Sequence, residues 1–175
     1  ITTIMIMLFL ASTTVIAVPL VAEGTIIHVD PGPIYNLILF SWDGVQRNHL
    51  YEMLNAGELP NLRNLASMGV MFNYTISDHT SYTIPAHVQM LTGYSSFITR
   101  SWDNKLWSMI PDGLTIFERL KEVYGTNIVN LFVAGRTNFA NTAIFGNAME
   151  AIDAYFWVDA NADVTGLKML EFLRR

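Results

Sequence analysis

The 175 residues carry a net charge of −5, a pI near 5.2 and no Lys/Arg cluster beyond Arg174-Arg175, which excludes a nucleic-acid-binding surface. At 51% hydrophobic the chain can build the core of one domain or part of a larger one. It has no cysteine, so disulfides, thiolate metal sites and cysteine nucleophiles are excluded.

Ile1 to Ala22 holds no charge and is mostly apolar. Two readings compete: a secretory signal peptide, with Val15-Ile16-Ala17 near a cleavage point, or a membrane anchor about long enough to span a bilayer. Either implies export, to a secreted, extracellular or membrane-anchored location. A buried core helix is the third option. Residues 23–34 are mixed in polarity and contain Asp30-Pro31-Gly32-Pro33, a linker composition. Tyr35 to Trp42 is a nearly continuous apolar run of strand length, the pattern of a buried parallel strand. It ends at Asp43-Gly44. A carboxylate at the C-terminal end of such a strand is where α/β sheets place ligands, although Asp-Gly is also an ordinary turn.

Helices are expected over Gln46–Ala56, with Leu50, Met53 and Leu54 on one face, and over Pro60–Met68, with Leu62, Leu65 and Ala66 inward. Gly57 and Gly69 stop them. Val70–Tyr74 reads as a short strand and Ile76–Tyr82 as a polar loop. A helix then begins at Thr83, with Pro85 in its first turn, Val88 and Leu91 inward, and Gly93 as the stop. A hydroxyl there is either a helix cap or a group held beside unpaired backbone N–H donors, which form a ready anion site. Residues 94–112 read as a long ordered loop. Thr115–Tyr124 is an amphipathic helix, with Ile116, Phe117, Leu120 and Val123 on one face and Gly125 after it. A strand over Asn127–Val133, a weakly patterned helix over Phe139–Ala151 and a short strand over Tyr155–Val158 follow. A last helix over Val164–Arg175 has Leu167, Leu170 and Leu173 as its apolar face, with Met169 and Phe172 beside it and Lys168 and Glu171 toward water. Strands alternating with helices give an α/β fold with helices on both faces of a sheet.

The chemistry-bearing candidates are Asp43, Thr83 and Asn104. A hydroxyl nucleophile needs a base or a metal to activate it. Asp43 could help bind a divalent cation that also holds the Thr83 oxygen, and Asn104 could donate to charge developing on phosphoryl oxygens. Equally, Asp, Thr and Asn in loops are common turn and capping residues. His87, one turn after Thr83, reads as structural. Asp78-His79 read as loop residues, and His28 and His49 have no partner in the sequence.

Phe40-Ser41-Trp42-Asp43-Gly44-Val45, Leu59-Pro60-Asn61-Leu62 with Leu65-Ala66 and Gly69-Val70, Thr83-Ile84-Pro85-Ala86-His87, and Leu91-Thr92-Gly93 occur in that order. Together with the helix Leu114–Lys121, they resemble the type I phosphodiesterase/nucleotide pyrophosphatase family of the alkaline phosphatase superfamily. The resemblance covers roughly residues 35–175. It implies an incomplete alkaline-phosphatase-like sheet sandwiched between helices, the N-terminal part of a hydrolase of phosphodiester or pyrophosphate bonds. It further implies two divalent cations, usually zinc, and a small-molecule or head-group phosphodiester substrate. By resemblance Asp43 is a metal ligand, and Thr83 is both nucleophile and metal ligand. Asn104 falls at the spacing from Thr83 where the family places its phosphate-binding Asn. Sulfatases, with a C/S-x-P-x-R motif and paired Asp, are disfavoured.

The family's remaining ligands are Asp and His on later strands. No His follows His87, and Asp153, Asp159 and Asp163 have none at ligand spacing. The expectation is therefore a fragment of a longer enzyme, inactive by itself. The runners-up are a phosphomonoesterase or head-group phosphotransferase of the same superfamily, and a non-catalytic exported domain of the same fold.

Overall fold

The computed structural model describes residues 4–9, 36–72, 78–135, 142–157 and 161–174. The chain forms two compact units, residues 1–75 and 76–175.

In the first unit, β1 (Ile4–Phe9) pairs antiparallel with β2 (Leu37–Trp42), Ile4 opposite Trp42 and Phe9 opposite Leu37. The stretch expected to be a leader or anchor is thus described as a strand over residues 4–9. An uninterrupted apolar run has no period that separates helix from strand, so the sequence leaves that choice open. β2 was expected to be buried and parallel; its partner is antiparallel, and Phe40 and Trp42 are 53% and 37% exposed. Phe40 and Trp42 meet edge to face at 6.3 Å. Both line an apolar cavity of about 420 Å³, together with Leu59, Leu62 and Leu65.

After β2 the chain reverses at Asp43-Gly44, where Gly44 takes φ +76, a value that disfavours any side chain. α1 (Arg47–Ala56) follows, with Leu50 and Leu54 buried, then α2 (Pro60–Met68), which begins on its proline. Both match the expected boundaries. The strand expected at Val70–Tyr74 is not formed over Val70–Phe72, which have no regular secondary structure and are exposed. Residues 73–77 lie outside the described residues.

The second unit holds α3 (Thr83–Thr92), a four-residue α4 (Ser96–Thr99), α5 (Ile116–Tyr124), β3 (Leu131–Ala134), α6 (Thr142–Phe145), β4 (Ala154–Trp157) and α7 (Ala162–Leu173). β3 and β4 are parallel, Leu131 opposite Ala154 and Ala134 opposite Trp157. Small parallel sheet and flanking helices are those of an incomplete alkaline-phosphatase-like α/β fold. The core centres on Phe117, Phe132 and Phe145, whose ring centroids lie 5.1–6.5 Å apart, with Ile110, Ile144 and Ala148 buried nearby in the same unit. Thr115 caps α5 and Glu118 closes the reciprocal bond, so Thr115-Ile116-Phe117-Glu118 is a capping box.

α7 inverts its expected orientation. Leu167, Leu170 and Leu173 are exposed, while Lys168, Met169 and Phe172 are half-buried. The Lys168 ammonium lies over the rings of Phe156 (5.0 Å) and Phe172 (5.5 Å) and pairs with Glu171 at 2.7 Å. Its charge is met by ring faces and a carboxylate.

Asn130, at the entrance to β3, is 4% exposed. Its amide nitrogen donates to Phe117 O (2.9 Å) and Ala151 O (2.8 Å), and its main-chain N–H donates to Asp153 Oδ2 (2.7 Å). Asp153 also meets Lys121 Nζ at 2.8 Å, and Lys121 donates to Ile128 O. The Lys121 hydrogen bond, then the Asn130 N–H, hold the Asp153 carboxyl below its ordinary value of 3.8. A carboxylate with a depressed folded pKa stabilises the fold above its unfolded pKa, and that contribution is lost as the pH falls through the folded value. Acidification below about pH 4 is therefore expected to lower the melting temperature of the wild type more steeply than that of Asp153→Asn. The difference should be modest, because the pair is partly solvent-screened. Parallel curves in a pH series of thermal melts would remove Asp153 from the acid response.

Candidate active site

Thr83 is the first residue of α3. The cap position belongs to Tyr82, which has extended backbone angles (φ −92, ψ 144) and makes no side-chain capping bond. The first intrahelical bond runs from Ala86 N to Tyr82 O at 3.2 Å. Thr83 is therefore not the N-cap, and one of its two open readings falls away. Pro85 has no N–H to offer, and Ile84 N–H donates to Asn104 Oδ1 at 2.9 Å. The helix start is less rich in open donors than the sequence suggests.

Asn104 reaches α3 from a turn that its own neighbours build. Ser101 and Trp107 form an antiparallel bridge, and Trp102 N–H donates to Leu106 O at 3.0 Å. Across the tip, Asp103 Oδ1 accepts from Lys105 N–H and Leu106 N–H, both at 2.6 Å. These bonds, that from Leu106 first, hold the Asp103 carboxyl below its ordinary range. Asp103 thus fixes the tip that carries Asn104. This is a positioning role the sequence reading missed, although Asp one residue before a functional Asn in a loop is an Asx-turn signal.

Two further contacts steady the region. Asp78 Oδ1 accepts from Gln89 Nε2 (3.2 Å) and its Oδ2 from Ser96 N–H (3.0 Å), which ties α3 to the start of α4. The expectation that Asp78 is a loop residue and not a metal ligand agrees with those contacts. His87 Nδ1–H donates to Thr83 O at 2.7 Å, back along one turn, in keeping with a structural role.

Asp43 stands exposed at the end of β2 in the first unit, whereas Thr83 and Asn104 are in the second. The structure thus brings Thr83 and Asn104 onto one helix start and describes Asp43 separately. Carboxylate and hydroxyl oxygens suit a hard divalent cation. Among the described residues, however, no three His, Cys, Asp or Glu side chains gather into a metal site. Asp43 and Thr83 alone do not fit a two-metal centre.

Helix N-termini are favourable places for anions, and a threonine hydroxyl needs an activating group before it can act as a nucleophile. Residues 37–109 match the model of the type I phosphodiesterase / nucleotide pyrophosphatase family. That stretch contains Asp43, Thr83 and Asn104. At family level this supports a hydrolase of the phosphodiesterase/pyrophosphatase kind, generally metal-dependent and acting on small-molecule phosphodiesters. Neither curated proteins nor solved structures give a significant match to the chain. No helix among the described residues is long and apolar enough to cross a membrane.

Asn104→Ala removes the acceptor for Ile84 N–H. It is expected to cost about 1 kcal/mol of stability, as loss of a helix cap does, and about 100-fold in kcat of the intact enzyme. Asp103→Ala is expected to reproduce part of the kcat loss, and Asp103→Asn, which keeps an acceptor oxygen, to restore it. Thermal melts and steady-state kinetics on the three variants check both statements.

Proposed function

We propose that the intact enzyme hydrolyses phosphodiester or pyrophosphate bonds through a phosphothreonine on Thr83. The observation that carries this reading is the bond from Ile84 N–H to Asn104 Oδ1, which anchors an amide beside the first hydroxyl of α3 within the stretch that matches the family. Thr83 Oγ1, its proton passed to solvent, forms a bond to phosphorus as the bond to the leaving-group oxygen breaks, and that oxygen departs and takes up a proton from solvent. Water then attacks the phosphothreonine, frees the phosphoryl product and returns the hydroxyl. Asn104, its Oδ1 engaged on α3, has two Nδ2–H donors for the non-bridging oxygens, whose charge grows in the transition state. A divalent cation, in the family usually one of two zinc ions, would supply the lowered hydroxyl pKa that threonine needs. Asp43 is its proposed ligand, and the remaining ligands would come from residues beyond these.

Acid quenching of the enzyme during turnover of bis-p-nitrophenyl phosphate, followed by peptide mass mapping, tests the intermediate. Phosphate on Thr83 is expected; phosphate on another residue would overturn the assignment. Faster turnover of p-nitrophenyl phosphate than of the diester would favour a monoesterase, and no turnover of either would favour a non-catalytic domain. Chelation should abolish activity and zinc should restore it. Export is proposed from the uncharged run 1–22, and N-terminal sequencing of the mature protein decides whether residues 4–9 are removed or kept as a strand.

A further inference from the structure

The chain from Arg100 to Ser108 forms a small groove of about 210 Å³ lined by Arg100, Trp102, Leu106, Trp107 and Ser108. Its walls are fixed by the Ser101–Trp107 bridge and by Ser108 N–H donating to Arg100 O at 3.1 Å. Arg100 ends α4 in the left-handed region, φ 55 and ψ 33, the only non-glycine residue with positive φ among the described residues. An L-residue with a long side chain is disfavoured there, and such positions concentrate at ligand-binding places. The Arg100 guanidinium has no ion pair or hydrogen bond among the described residues. The nearest acid in sequence, Asp103, has turned its carboxylate onto the N–H groups of Lys105 and Leu106 and faces the Lys105 charge. The turn therefore presents a surplus positive charge at Arg100 in a chain whose net charge is −5. The groove shares its turn with Asn104, which is anchored next to Thr83.

We propose that this groove is a second anion site, separate from the place of bond cleavage, which holds a phosphate group that is not itself cut. A guanidinium fork matches two oxygens of a phosphate. Trp102 and Leu106, which line the same groove, are 43% and 64% exposed and open to a ligand. Its relevance to catalysis rests on the reading of Thr83 above, but binding at Arg100 does not.

Inorganic pyrophosphate is the probe, followed through the indole N–H signals of Trp102 and Trp107 by NMR and through heat of binding. Pyrophosphate is expected to shift both signals and to bind more weakly as salt is raised. Arg100→Gly is the decisive variant, because glycine suits φ 55 and the fold should be kept, which an unchanged thermal melt confirms. It should weaken binding about tenfold or more, the usual scale for a charge-assisted contact. Arg100→Lys should fall between. Pyrophosphate that binds Arg100→Gly as tightly as wild type, or that leaves both indole signals unmoved, overturns the proposal. Thr83→Ala should bind pyrophosphate in the groove as wild type does, so a failure of the nucleophile reading and a failure of this site are told apart.

Discussion

Thr83→Ala is expected to lower phosphodiester hydrolysis by the intact enzyme at least about 10³-fold, with KM little changed. The reason is positional. Thr83 occupies the first helical position, and the cap position is Tyr82. Alanine is the best helix former, so the change should leave α3 in place. Val88 and Leu91 bury the helix from the other side and do not depend on residue 83. A loss of 10³ with an unaltered melting temperature would therefore report chemistry and not folding; it amounts to about 4 kcal/mol of transition-state stabilisation. Thr83→Ser keeps a hydroxyl and is expected to recover a measurable part of the rate. Full activity in Thr83→Ala would sink the nucleophile assignment outright.

The second large effect is structural. Asn130→Ala should destabilise the second unit by about 2–4 kcal/mol, since it removes two bonds from the Asn130 amide, a buried one to Phe117 O and a part-buried one to Ala151 O. The melting temperature should fall by roughly 10 °C or more. Asn130→Asp, of the same shape, should be at least as harmful. It replaces a donor with an acceptor against two carbonyls and adds a charge near Asp153, which already accepts from the Asn130 N–H. Thermal melts by circular dichroism measure both. A change below about 1 kcal/mol in either would mean that the three-way staple at β3 is not the main lock of this unit.

What was legible in the sequence was local. Pro60, Gly57 and Gly93 gave helix ends that the structure keeps, because proline holds φ near the helical value and glycine tolerates the left-handed angle that ends a helix. Thr83 at the start of α3 was visible for the same reason. Partner-dependent features were not. Leu167, Leu170 and Leu173 form a regular apolar stripe, yet α7 places Lys168, Met169 and Phe172 in half-buried positions because Phe156 offers a ring face to the ammonium. The antiparallel partner of β2 and the failure of Val70–Phe72 to form a strand depend equally on what lies alongside. At the candidate site, the family resemblance pointed to Asn104, but not to its oxygen accepting from the Ile84 N–H. Asp103 and Asn130 act through hydrogen bonds whose partners no pattern in the chain announces.

The Asn104–Ile84 bond also bears on how the region assembles. It closes a loop of only 20 residues, and the Asp78 ties to Gln89 and Ser96 close loops of 11 and 18. Short closures cost little chain entropy and form quickly. The helix that carries Thr83, the turn that carries Asn104 and their braces thus make one short stretch of chain, from Asp78 to Ser108, which during synthesis can take shape as soon as it is free to fold. The helix start proposed to meet a phosphoryl group is thus braced by short-range contacts of its own unit.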